Sequence, residues 1–176
     1  LFDIKPTKKI TINNLYKVIK KCSLIQKESF IPNLGSKFNK NIYSTYLSFL
    51  PKENFSYQLM QNNDSRGKFV EFLKTNFSGQ FSFFTAKKGV VRGGHFHHTK
   101  SEKFLVLNGN ALFTFINITN KEKFSIKVSS DEVKVVETIP GWAHNIKNIG
   151  EDDLIVMLWA NELFDKKKPD TYYYDF

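Results

Sequence analysis

Gly89-Val90-Val91-Arg92-Gly93-Gly94-His95-Phe96-His97-His98-Thr99-Lys100-Ser101-Glu102-Lys103-Phe104-Leu105-Val106-Leu107-Asn108-Gly109 is the stretch on which the reading of this chain turns. It carries three of the four histidines. In an extended segment, residues two apart face the same side, so His95 and His97 would present both imidazoles to one face. Glu102 follows after a short turn, and Lys103-Phe104-Leu105-Val106-Leu107 re-enters a strand. The fourth histidine, His144, comes just after the turn signal Pro140-Gly141. Three imidazoles and a carboxylate suit a divalent transition metal, with positions left open for water or substrate. Singly, each has an ordinary explanation: His98 is solvated, Glu102 pairs with Lys100 or Lys103, and His144 is a core histidine satisfied by backbone. The joint spacing favours the metal.

Outward from this stretch the texture stays that of strands. Phe69–Leu73, Gln80–Ala86, Phe104–Leu107, Leu112–Ile118, Phe124–Val128, Val133–Ile139, Asn145–Ile149 and Leu154–Ala160 read as short strands punctuated by Gly67, Gly79, Gly89, Gly109, Gly141 and Gly150. Near-regular spacing without intervening helices implies an antiparallel sandwich or small barrel. Phe81, Phe83, Phe113 and Phe115 are expected to face its core. Residues 1–54 differ. Ile12, Leu15, Ile19 and Cys22 recur at helical spacing behind a capping Thr11, and Ile42, Tyr46, Phe49 and Leu50 suggest a second helix before Pro51. The reading is therefore a mainly β chain, with a helical segment and linker at 1–54 and the β domain at 55–176.

The chain has 176 residues, 41 % of them hydrophobic, enough to fill one core. No apolar run is long enough to cross a bilayer and no secretion signal is evident, so a cytoplasmic location is expected. One cysteine, Cys22, excludes a disulfide framework and cysteine-rich zinc modules. The net charge of +9 is lysine-borne, with Arg66 and Arg92 the only arginines. Base readout and phosphate clamping lean on arginine, so nucleic acid is not the expected partner; an anionic small substrate fits as well.

The spacing from Gly89 through His95, His97 and Glu102 to Gly109 resembles the first motif of the cupin superfamily at every position. Ile139-Pro140-Gly141-Trp142-Ala143-His144-Asn145-Ile146-Lys147-Asn148 resembles its second, with Ile139 where a proline often stands. The resemblance implies a cupin double-stranded β-helix, or jelly roll, with His95, His97, Glu102 and His144 as metal ligands. The runs from Tyr43 to Tyr57, Asp64 to Thr75 and Ala160 to Phe176 add a closer likeness. They are similar to the C-terminal half of the bifunctional UDP-2-acetamido-2,6-dideoxy-hexos-4-ulose 3-epimerase/reductases of capsular and O-antigen polysaccharide synthesis, on the route to UDP-N-acetyl-L-fucosamine. In that family a short-chain reductase precedes a zinc-binding cupin that epimerises carbon 3 of the 4-keto sugar.

That resemblance implies an isomerase acting on a UDP-linked 4-keto-6-deoxy amino sugar, with zinc as the expected metal and iron, manganese or nickel as alternatives. No dinucleotide-binding glycine motif follows a strand, so NADP and reduction are not expected of this chain, and Tyr16 and Lys20 read as ordinary helix composition. The missing reductase would be a further domain or a separate chain. Epimerisation beside a ketone needs a base, an electrophile for the enolate, and an acid. Lys103, His98 and Tyr172 are the candidate proton-transfer residues. Arg92 and Trp142 are the candidate substrate contacts, at the pyrophosphate and at a uracil or sugar face. A homodimer is expected. Three other readings stay open: a sugar-binding or dimerisation cupin with a structural metal, a metal-free enzyme like the dTDP-4-keto-sugar epimerases, and an iron dioxygenase.

Overall fold

In the computed structural model, which describes residues 9–176, Thr11 accepts the backbone N–H of Asn14 and opens helix α1 (Ile12–Cys22). The first eight residues, Lys8 among them, lie outside the described residues. Lys20 and Lys21 fall in the last turn of α1, where their charge complements the helix dipole. A short helix α2 (Leu24–Glu28), which the sequence pattern did not reveal, follows at once. Ser36 caps α3 (Lys37–Ser48) through the Asn39 N–H. No helix among the described residues is long and apolar enough to cross a membrane.

Eleven strands follow: β1 (Gln61–Asp64), β2 (Gly67–Lys74), β3 (Gln80–Ala86), β4 (Val91–Phe96), β5 (Glu102–Asn108), β6 (Asn110–Asn117), β7 (Lys123–Ser129), β8 (Val135–Thr138), β9 (Trp142–Asn148), β10 (Leu154–Ala160) and β11 (Tyr172–Tyr173). They form a six-stranded sheet in the order β1-β2-β3-β10-β5-β8 and a five-stranded sheet in the order β11-β4-β9-β6-β7. All these pairings are antiparallel. This is the cupin jelly roll that the spacing implied. The edge strands β1 and β11 escaped the sequence reading. Gln61-Asn62-Asn63-Asp64 is polar and exposed throughout, so it shows no alternation, and β11 is only two residues long.

The core lies between the sheets. Phe84 and Val156 from one sheet meet Phe113, Phe115 and Ile146 from the other. Phe113 is fully buried, which removes an aromatic side chain worth roughly 1.5–3 kcal/mol from water. The phenylalanine expectation is corrected on β3: Phe84 faces the core, whereas Phe81 and Phe83 alternate onto the outer face. The alternation reads backwards here, because the polar Gln80 and Ser82 are the inward, buried positions.

Candidate metal centre

The last residues of β4, the first of β5 and the start of β9 meet inside the sandwich. His95 pairs with His144 across β4 and β9, so both side chains emerge on the same face. Arg92 pairs with Ile146 one step along, and the register shifts between Gly93 and His95. The extra residue in this bulge lets Arg92 and His95, three apart, both turn inward. Gly93 has φ +88°, and a Cβ there would stand 2.9 Å from the His144 carbonyl oxygen, so only glycine fits. His97 follows directly after β4, and Glu102 opens β5.

Ligand atoms of His95, His97, Glu102 and His144 all lie within 4.8 Å of one another. Glu102 Oε2 stands 3.1 Å from His97 Nε2 and 3.3 Å from His144 Nε2. His97 and His144 are both 1 % exposed. On its other side, His97 Nδ1 lies 2.6 Å from the Asp170 carbonyl oxygen. A carbonyl only accepts, so Nδ1 carries the proton, and Nε2 is left to face a carboxylate. Without a cation, satisfying both contacts requires an extra proton between Nε2 and Oε2, buried in the core. A divalent ion satisfies Nε2 and Oε2 with the imidazole neutral, and an outer carbonyl on a ligating histidine is the usual arrangement. The donor set therefore fits a metal.

The electrostatics agree. Burial, reinforced by the neighbouring His144 and His97, pushes the His95 pKa down to about 3, which keeps the imidazole in its neutral, ligating form. Burial alone would raise Glu102; the hydrogen bonds and charge of His144 and His97 outweigh it and hold the carboxyl well below the usual range. Thr138, paired with Glu102 across β5 and β8, has a buried Oγ1 with no hydrogen-bond partner.

Asp170 organises the loop between the ligands, and no local sequence signal marked it. Its carboxylate accepts the backbone N–H groups of His98, Thr99 and Lys100 and the Thr99 hydroxyl. Asp170 itself sits at φ +35°. The Gly141 N–H donates to the His97 carbonyl, tying the turn before β9 to the same loop. Asn148, the last residue of the second motif, is structural: its side chain bonds Ala86 O, Asp152 O and the Gly150 N–H.

Two cavities meet at Glu102. The inner one, about 170 Å³, is lined by His95, His144, Arg66 and Arg92. The outer one, about 460 Å³, is lined by Glu71, Gln80, Lys100, Glu162 and Lys166. Lys100, which the sequence reading treated only as a partner for Glu102, is 7 % exposed and bonds Thr171 Oγ1.

The proton-transfer candidates do not reach either cavity. Lys103 alternates onto the outer face of β5 and pairs with Glu137 at 2.6 Å. His98 is exposed, its ring against Tyr172. Tyr172 pairs with Phe96 and stacks on it, on the face opposite the ligands. Strand register turns Lys103 and Tyr172 away from the cavities, and His98 lies in the loop beyond β4. Tyr173, paired with His95, is the tyrosine of β11 on the ligand face. Of the candidate substrate contacts, Arg92 lines the inner cavity, whereas Trp142 packs edge-on against Phe124 and lines neither.

Residues 62–172 match the family described as the polysaccharide biosynthesis C-terminal domain. The chain belongs to that family. It is 48 % identical over 169 residues to the UDP-2-acetamido-2,6-beta-L-arabino-hexul-4-ose reductase of Pseudomonas aeruginosa, covering 96 % of this chain and 45 % of that one. The capsular polysaccharide assembling protein CapF of Staphylococcus aureus superposes with a TM-score of 0.91 at 40 % identity, over 96 % of this chain and 49 % of that one. The chain thus spans about half the length of these relatives. The Drosophila melanogaster CENP-C cupin domain, with a TM-score of 0.51 at 14 % identity over 58 % of this chain and 75 % of that one, shares the fold alone.

Proposed function

We propose that this chain is a metal-dependent epimerase module that inverts carbon 3 of a UDP-4-keto-6-deoxy-N-acetylhexosamine during capsular or O-antigen sugar-nucleotide synthesis. The observation that carries it is the buried His95, His97, Glu102 and His144 cluster, whose ligand atoms converge, with the Asp170 carbonyl on His97 Nδ1 leaving Nε2 to face the cluster. Kinship to capsule-related proteins supplies the substrate class. Zinc is the first choice of ion, with iron, manganese and nickel compatible with the same donors. When bound, it supplies a Lewis acid that draws charge from the ketone oxygen and so acidifies the neighbouring C–H.

The chain's own groups do the rest. Phe69, Phe104 and Leu158 give the inner cavity an apolar wall beside the ligand cluster. Lys100 Nζ sets a positive charge beside Glu102 in the outer cavity. The reduction for which the Pseudomonas relative is named belongs, in this proposal, to the part of that relative which the chain does not span. On α1, Tyr16 and Lys20 lie together with the lysine Nζ 5.9 Å from the ring centre, an ordinary i,i+4 contact.

The test is hydrogen exchange. Incubated in D2O with the UDP-4-keto-6-deoxy-N-acetylhexosamine, the chain is expected to place deuterium at carbon 3 and nowhere in the uridine. No exchange at carbon 3 by a metal-loaded chain would remove the epimerase reading.

A further inference from the structure

Arg92 is nine-tenths buried, and its guanidinium lies over the Phe84 ring with Cζ 5.3 Å from the centroid. Its Nη1 is buried without a hydrogen-bond partner. A buried guanidinium donor left unmade is costly, so folding retains it only where something else uses it. The carboxylate paired with it among the described residues is Asp64, whose Oδ1 stands 3.5 Å from Nη1, close enough for attraction and too far for a good hydrogen bond. Asp64 spends its hydrogen bonds on Arg66 instead: Oδ2 accepts Nη2 at 2.6 Å and Nε at 3.1 Å, and Oδ1 accepts the Arg66 backbone N–H at 2.9 Å. Both arginines of the chain line the inner cavity that also holds His95, Glu102 and His144.

We infer that Arg92, backed by Arg66, is an anion site in the wall of the metal cavity, made for a carboxylate- or enolate-type oxygen of the ligand rather than for a diphosphate. Size decides between the two. Around Arg92 the cavity offers about 170 Å³, room for a small oxygen-bearing group, and a diphosphate would have to extend past Glu102 into the outer cavity, which Glu71 and Glu162 line. The charged residues that line the cavity are Arg66, Arg92 and Glu102, so its wall already carries an excess of positive charge for an anionic oxygen, and a divalent ion at the cluster would add to it. Asp64, on the exposed tip joining β1 to β2, hovers at the same site and competes for it. The inference deepens the proposed function and rests on it for the identity of the natural ligand: the enolate oxygen formed beside carbon 3 is the group that Arg92 would meet.

Two arginines give two side-chain Nε–Hε resonances, so 15N-arginine-labelled protein reports the site directly. Arg66→Gln assigns them by removing one. The probe is glycolate, with uncharged glycolamide as the control, titrated with and without zinc. Glycolate is expected to shift the Arg92 resonance saturably, at least ~10-fold more tightly than glycolamide. Asp64→Asn is expected to tighten glycolate several-fold by removing the competitor. An Arg92 resonance that ignores glycolate, or follows glycolamide equally, would overturn the inference, as would an Asp64→Asn variant that binds glycolate more weakly. Failure of zinc to bind, or of carbon 3 to exchange, counts against the metal-dependent epimerase and leaves the arginine result standing on its own.

Discussion

Glu102 is the residue on which the centre's charge depends, since its Oε2 meets the Nε2 atoms of both His97 and His144. Glu102→Gln keeps the shape and removes the anion. Its metal affinity is expected to fall by more than the ~10–100-fold typical of outer-sphere substitutions, measured by competition with a chromogenic chelator. At this scale the four clustered residues were legible because their spacing is local: two histidines on one strand face, a carboxylate after a short loop, a histidine after a Pro-Gly turn. Lys103, His98 and Tyr172 misled because adjacency in sequence does not fix the face. Lys103 is the immediate neighbour of a ligand and points to the opposite side of the sheet. Arg92 needed the bulge at Gly93, which alternation alone does not foretell.

The loop between β4 and β5 and the hairpin of β1 and β2 are the elements that frame the cavities. Asp170 reaches the loop from about seventy positions away and gathers three consecutive N–H groups. Asp170→Asn loses the charge and half the acceptor capacity, so zinc affinity is expected to drop by roughly 10–100-fold while the circular dichroism spectrum is unchanged. The hairpin tip makes a pH prediction. Hydrogen bonds from the Arg66 side chain, then its backbone N–H, pull the Asp64 pKa from its ordinary 3.8 to about 2. A lowered carboxyl pKa contributes stability that is complete above the unfolded value and lost as pH falls through the folded one. The thermal midpoints of wild type and Asp64→Asn should therefore keep a constant gap from neutral pH to about 4 and converge near 2. Long β strands and capped helices were readable from alternation and Thr11; β1 and β11 were not, because an all-polar edge and a two-residue strand carry no period.

As a whole the molecule is a jelly roll whose two sheets close around a core and leave the ligand cluster at the meeting point of two cavities. Its outer apolar face, with Phe81, Leu105, Met157 and Trp159 around a groove of about 370 Å³, supports the proposal of a homodimer. Sedimentation velocity checks it, with a dimer expected. The fold was readable from the motif spacing and strand density; how the elements pair to build the cavities depends on register between distant segments, which one sequence does not display. We propose that the cluster works through a bound divalent ion. The most direct measurement is the rate of deuterium entry at carbon 3 as a function of metal content, in protein stripped by a chelator and reloaded with zinc. The rate should vanish in stripped protein and rise in proportion to zinc until about one ion per chain is bound. Undiminished exchange in the stripped protein would mean that the cluster acts without an ion.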